Sequence, residues 1–355
     1  MRVKQVILLI LILCSIPVMH AHARAAAPAD AIKPLTVDDA VKNAVSRSSE
    51  LKNLDENAHL NELARDTLQR AVVQNVSEAQ HINNRVSIMQ NDLRQAMMSD
   101  NVDLQKLLIT FSVTRYFSAI ISAERDYELF ERGLELNEKN LEVAKVKTEL
   151  GLMNANAYDT MKTNYEKDVI SREIRIVSID NAYRALNHVM GKELGLRYEL
   201  EMDIEYEPLH ETDLPKYITA ATDDNMGIKA KENELKVLQY RLSLTSAADV
   251  SDELEVNISQ AARAVTDAKA NLNDKITACY KDIQIMETQI ELSEKDYDEM
   301  KNQLAIKETL LELGRTTQMD VDNYLFSMMQ QEYKILEQIA NHYIKKMQFD
   351  NPDLL

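Results

Sequence analysis

The side chains able to do covalent or metal chemistry are few and scattered along this chain. His59, His81, His188, His210 and His342 form no i,i+4 pair and have no cysteine nearby, so no zinc-type ligand set is assembled. No nucleophile elbow, phosphate loop or dinucleotide fingerprint occurs. Cys279 is the single cysteine after residue 23 and has no partner for an intramolecular disulfide. Asp159 and Asp322 stand at matching places in the two halves of the chain, where a shared helix-dipole role explains them without catalysis. The fourteen tyrosines, against five phenylalanines, fall mostly at positions that read as packing with a hydroxyl reaching water. The residue types therefore imply no enzyme, no cofactor and no metal, and attention moves to the elements.

Those elements repeat. Gly151 sits in Leu150-Gly151-Leu152 and Gly314 in Leu313-Gly314-Arg315, an offset of 314 − 151 = 163. The same offset aligns Phe117 with Tyr280, Ile120 with Ile283, Leu141 with Leu304, and Glu149 with Glu312. Before each glycine runs a 3-4 seam: Ile120, Ala123, Tyr127, Phe130, Leu134, Asn137, Leu141, Ala144 in the first half. Its shifted copy is Ile283, Met286, Ile290, Ser293, Tyr297, Met300, Leu304, Lys307. A seam held this long predicts coiled-coil packing of long helices. Arms of about 40–50 residues would be roughly 60–75 Å long, a rod and not a globule. Each glycine reads as a helix C-cap, where the left-handed region is open to glycine.

Composition agrees. Six glycines and six prolines in 355 residues are too few for the turns of a strand-rich protein. The fold class is all-α: duplicated long helical hairpins with coiled-coil packing and at most one short strand. That strand signal is Tyr198, Leu200, Met202, Ile204 and Tyr206 alternating with Glu199, Glu201, Asp203 and Glu205.

Residues 1–23 read as a secretory signal: a basic Met1-Arg2-Val3-Lys4, an apolar run from Val6 to Ile16, and Ala21-His22-Ala23 as a small-x-small cleavage site. An uncleaved anchor is the alternative. Leu13 before Cys14 argues against lipidation. The net charge of −17 becomes −17 − 2 = −19 without Arg2 and Lys4. No basic patch points to nucleic acid or anionic lipid. No later segment reaches the roughly 20 apolar residues of a membrane helix, so no direct bilayer insertion is expected after cleavage.

The expected organisation is a signal over 1–23, a disordered leader over 24–34 and helical repeat one over 35–190. A linker with the strand signal covers 191–213, helical repeat two 214–350 and a tail 351–355. Thr36 is the expected N-cap of a short helix starting near Leu35. A second helix should run from Ser48 to about residue 75, and a third be interrupted near Ser99-Asp100-Asn101 before one long helix from about 102 to Leu150.

Together these features resemble the TolC family of outer-membrane efflux proteins. The family's hairpin turn pairs an apolar or aromatic residue, a glycine and a small or apolar residue with an Asp six after the glycine. Asp320 fits that Asp, whereas its counterpart Ala157 does not. The resemblance covers about 35–350. It implies a homo-oligomer, a trimer, working with a periplasmic-type adaptor (membrane fusion) protein and an inner-membrane transporter, in an exported, extracytoplasmic setting. It makes Leu150, Gly151, Leu152, Leu313, Gly314 and Arg315 the adaptor-docking tips. It places Asp320 at a tunnel constriction, where three copies would form an acidic ring; a solvated carboxylate after a turn is the other reading.

The sequence departs from the family in one respect. Each repeat of the family carries a β-hairpin that helps close a membrane barrel. A membrane strand pair needs two alternating segments of about 9–11 residues. Asn75 to Asn101 is polar and helix-like, and Ser243 to Glu255 reads as a short polar loop. The expectation is a barrel-less relative, acting as an export conduit or docking component; a surface scaffold or spacer without transport is the alternative.

Overall fold

The computed structural model describes residues 34–72, 77–202 and 204–355, all within one compact unit, Pro34–Leu355. The signal over 1–23 and the leader up to residue 33 lie outside the described residues.

The described residues open with β1 (Leu35–Thr36) and α1 (Val37–Arg47). Thr36 caps α1, its Oγ1 accepting from the Asp39 amide at 3.2 Å. The helix thus starts two residues after Leu35, which pairs as strand instead. α2 (Ser49–Val72) and α3 (Glu78–Ala96) form the next hairpin. α4 (Met98–Glu149) and α5 (Ala155–Met190) form the first long one. The expected interruption at Ser99–Asn101 falls at Met97 instead, where α3 closes with the Met97 amide bonded to Leu93 and Arg94 carbonyls at 3.2 Å. Ser99 and Asp100 lie in the first turn of α4, where short polar side chains are favoured.

After β2 (Leu200–Glu201), repeat two supplies α6 (Leu214–Asp224), α7 (Met226–Leu244), α8 (Ala248–Glu312) and α9 (Gln318–Asp350). α8 runs 65 residues without a break, about 98 Å at 1.5 Å per residue. Only Thr245–Ala247 separates α7 from α8, and Ala248 to Glu255 is helical where a loop was expected. Where the resemblance would place β-hairpins, the described residues hold helices.

The alternation at 198–206 survives as exposure. Tyr198, Leu200, Met202, Ile204 and Tyr206 are half-buried, while Glu199, Glu201 and Glu205 are exposed. Among the described residues of this stretch only Leu200–Glu201 pairs, in parallel with Leu35–Thr36. Carboxylates at equivalent positions of the repeats stand behind this linker, Glu287 on it directly and Glu124 through Tyr183. Glu124 Oε1 lies 2.7 Å from the Tyr183 hydroxyl, which is 2.9 Å from the Tyr198 carbonyl. Glu287 Oε1 accepts from the Leu209 amide at 2.5 Å and meets buried His342 Nε2 at 3.2 Å. Burial, with Glu287 and Glu294 nearby, pushes the Tyr206 hydroxyl beside His342 up to about 12.

The packing order decides everything that follows. In the half carrying the glycine turns, neighbours run α5–α4–α9–α8; in the other half they run α2–α3–α7–α8. Both buried clusters sit near the middle, around Phe117 and Ile120 in repeat one and Ile276 and Ile283 in repeat two. The repeats meet where α4 packs on α9 and where α3 packs on α7. Gly133 lets the Phe326 ring approach, so that a Cβ there would stand 3.1 Å from Phe326 Cζ. The Tyr333 hydroxyl donates to Glu128 Oε2 at 2.8 Å. Within repeat one, Arg172 forks onto Glu131 at 2.7 and 2.8 Å.

Candidate functional site

The two hairpin tips are built alike. α4 ends at Glu149 and Leu150 takes φ −84°, ψ 0°. Gly151 then swings to φ 71°. The Gly151 amide donates to the Thr148 carbonyl at 3.0 Å and the Leu152 amide to the Lys147 carbonyl at 2.8 Å. The second tip repeats this geometry closely. Leu313 has φ −81°, ψ 1°, and Gly314 has φ 64°. Gly314 donates to Leu311 at 2.9 Å and Arg315 to Leu310 at 2.8 Å. Both are Schellman closures, in which a left-handed residue lets two amides reach back to orphan carbonyls. A side chain at either glycine would clash with nothing within 4 Å; the need for glycine lies in the backbone angle alone.

The returning helices are also capped at matching positions. Asn154 Oδ1 accepts from the Asn156 amide at 2.9 Å. Thr317, its equivalent in repeat two, forms a capping box with Asp320. Asp320 Oδ2 accepts from the Thr317 hydroxyl at 2.7 Å, the Thr317 amide at 3.1 Å and the Thr316 hydroxyl at 3.0 Å. These bonds, led by the Thr317 hydroxyl, hold the carboxyl below its usual range. Ala157 at the equivalent place can make no box, so the tips share a backbone and differ in one carboxylate.

Asp159 and Asp322 are the fifth residues of α5 and α9, one turn too deep for the helix-dipole role expected of them. Asp322 Oδ1 instead accepts from the Gln318 side chain at 2.8 Å.

Among the six predicted docking residues, Leu150, Leu152 and Leu313 are 68%, 75% and 63% exposed. One tip thus presents an apolar pair, the other Leu313 followed across the glycine by Arg315. The paired linker anchors Glu124 and Glu287 escaped the sequence reading, although the offset of 163 alone relates them. Among the described residues no helix is long and apolar enough to cross a membrane.

No protein-family profile and no curated protein sequence matches this chain. Solved structures do. CusC, described for conformational changes accompanying folding and transmembrane channel formation, aligns over 89% of this chain and 91% of its own with a TM-score of 0.67 at 9% identity. The outer membrane protein VceC from Vibrio cholerae aligns over 90% and 97%, with a TM-score of 0.65 at 10% identity. The MtrE outer membrane channel of Neisseria gonorrhoeae aligns over 90% of both chains, with a TM-score of 0.61 at 11% identity. Likeness at such low identity is a likeness of fold. This chain has the TolC-like fold of outer-membrane channel proteins, built from long helices and one two-residue strand pair among its described residues.

Proposed function

We propose that this protein is the helical conduit of an export system, exported from the cytoplasm, with three copies closing a ring of six hairpins. An adaptor docks on the tips and links the ring to a transporter of the cytoplasmic membrane. One observation carries this reading: the layer of helices in one chain has two unpartnered edges that match each other. Within the chain α4 packs on α9. The offset of 163 turns α4 into the corresponding part of α8, and α9 into α5, and among the described residues these two form no packed pair. Their side chains record the missing neighbour. Tyr333 is half-buried on α9, while its counterpart Ile170 on α5 is 73% exposed. Leu129 is half-buried on α4, while its counterpart Leu292 on α8 is 56% exposed. A head-to-tail contact of α5 on the α8 of the next copy repeats the internal contact and closes a ring. In that ring Asp320 recurs once per copy near one mouth.

The test is direct. Light scattering of the purified protein should give three times the chain mass. Leu152→Asp and Gly314→Trp should weaken capture of an adaptor encoded nearby while circular dichroism stays unchanged. A monomer at micromolar concentration whose tip variants bind like wild type would defeat the proposal. The scaffold reading, with no transport, would then take its place; what favours it is the helical pair α7–α8 standing where a membrane β-hairpin was sought.

A further inference from the structure

The end of the chain opposite the glycine turns has its own pair of unmatched edges. There the repeats are related by a second offset, 213 − 36 = 177. Thr36 and Asp213 cap α1 and α6 through the Asp39 and Lys216 amides at 3.2 and 3.3 Å. Ser48 and Asn225 cap α2 and α7 through the Leu51 and Ile228 amides at 3.2 and 3.0 Å. α2 therefore corresponds to α7, and α3 to the first part of α8.

Inside the chain α3 packs on α7 through a polar seam. Arg241 donates to Asn83 Oδ1 at 2.9 Å; at the two ends of the seam Ser246, just past α7, donates to Glu78 Oε1 at 3.0 Å and Lys229 lies 3.7 Å from Asp100 at the start of α4. Among the described residues α2 and the first part of α8 form no packed pair. Burial again marks the difference. Val237 and Tyr240 on α7 are half-buried, while their counterparts Leu60 and Leu63 on α2 are 59% and 51% exposed. On the first part of α8, Val256 is 56% exposed. Apolar residues left so open on both edges call for cover.

We infer that a second copy of this chain covers α2 with the first part of its α8, so that Ala64 meets Gln260 and Gln69 meets Glu255, as Arg241 meets Asn83 and Ser246 meets Glu78 within the chain. The end where the resembled family closes a barrel of strands is then closed by helical hairpins. The contact continues an edge already assigned: α8 is one unbroken helix, so a neighbour seated against its far part on α5 brings its near part to α2. The inference rests on the ring reading above, and it adds what closes the other end.

Two tagged forms of the full chain, co-expressed in a Cys14→Ala, Cys279→Ala background, test it. One carries Ala64→Cys and the other Gln260→Cys, with Gln69→Cys and Glu255→Cys as a second pair. A short bismaleimide should give a band holding both tags. That band should be absent when both forms carry Ala64→Cys, because head-to-tail packing brings no residue against itself. Ile170→Cys with Leu292→Cys reports separately on the α5–α8 contact, and circular dichroism confirms that each form is folded. Linkage of the α5–α8 pair with no linkage of either α2–α8 pair would overturn this inference and leave the ring standing. No linkage in any pair would overturn both.

Discussion

Asp320 and Thr317 show how a single carboxylate makes one of two turns with the same backbone sensitive to pH. The Asp320 carboxyl is held below its ordinary value by the Thr317 and Thr316 groups that bond it. Its charged form is therefore favoured by folding, so the stabilisation is present above the unfolded value of 3.8 and is lost as pH falls through the lower folded value. The second tip should loosen on acidification before the first, whose cap Asn154 does not titrate. Amide chemical shifts of Thr317 and Asp320, set against those of Asn156 and Ala157, measure this; equal response at both tips would refute it. Thr317→Ala should cost about 1 kcal/mol at neutral pH, the ordinary value for a lost N-cap, and less once Asp320 is protonated. The glycines at these tips were legible because a left-handed C-cap leaves a local trace. The capping box was legible only as an Asp at the right distance from Gly314, a spacing that fits a cap and a constriction equally well. His342 reads as an isolated histidine, yet it is buried against Glu287 beneath the linker. That contact depends on the path of residues 204–209, and no local pattern encodes a path.

At the scale of elements, the α4–α9 contact is the larger of two joints between the repeats, the other being α3 on α7. Gly133 is its narrowest point, with the Phe326 ring in the space a side chain would occupy. Alanine there gains about 0.8–1.0 kcal/mol of helix propensity, which offsets the mild crowding at 3.1 Å. Gly133→Leu should instead destabilise by about 1–3 kcal/mol, the range for overpacking. Phe326→Ala placed beside it should recover part of that loss, since the two residues share one space. Thermal unfolding of the three variants decides the matter, and additive losses would show that the contact is elsewhere. The seams before each glycine made the long helices readable, and the burial of Ile120, Leu134 and Ala144 follows them. Asn137 is exposed although the seam includes it, as its polarity foretells. Boundaries were less readable. The cluster at Ser99–Asn101 suggests a break by composition, but those residues suit the start of a helix as well as its end. Met97, which carries the break, has no turn chemistry of its own.

At the scale of the whole molecule, one chain is a layer of helices bounded by α5 and α2 on one side and α8 on the other. Ile170 and Ile174, 73% and 70% exposed, make the first edge apolar without contributing to the core of the chain. Ile170→Asp should thus leave the helical circular dichroism signal unchanged and lower the mass seen by light scattering to that of one chain. Loss of helicity instead would mean that the residue supports the chain itself. The layer was legible only through the repeat, because which helices are neighbours is a property of α4 meeting α9 across the two repeats and not of any single stretch.

The matched tips also bear on stoichiometry. A partner that reads the turn by its backbone finds the same Schellman closure after Leu150 and after Leu313, and two of its copies bind each chain. A partner that reads the residue after the glycine finds Leu152 at one tip and Arg315 at the other, and a single copy binds. The number of partner molecules per chain therefore reports which feature is recognised, and a tandem partner spanning both tips gains affinity through its linkage alone.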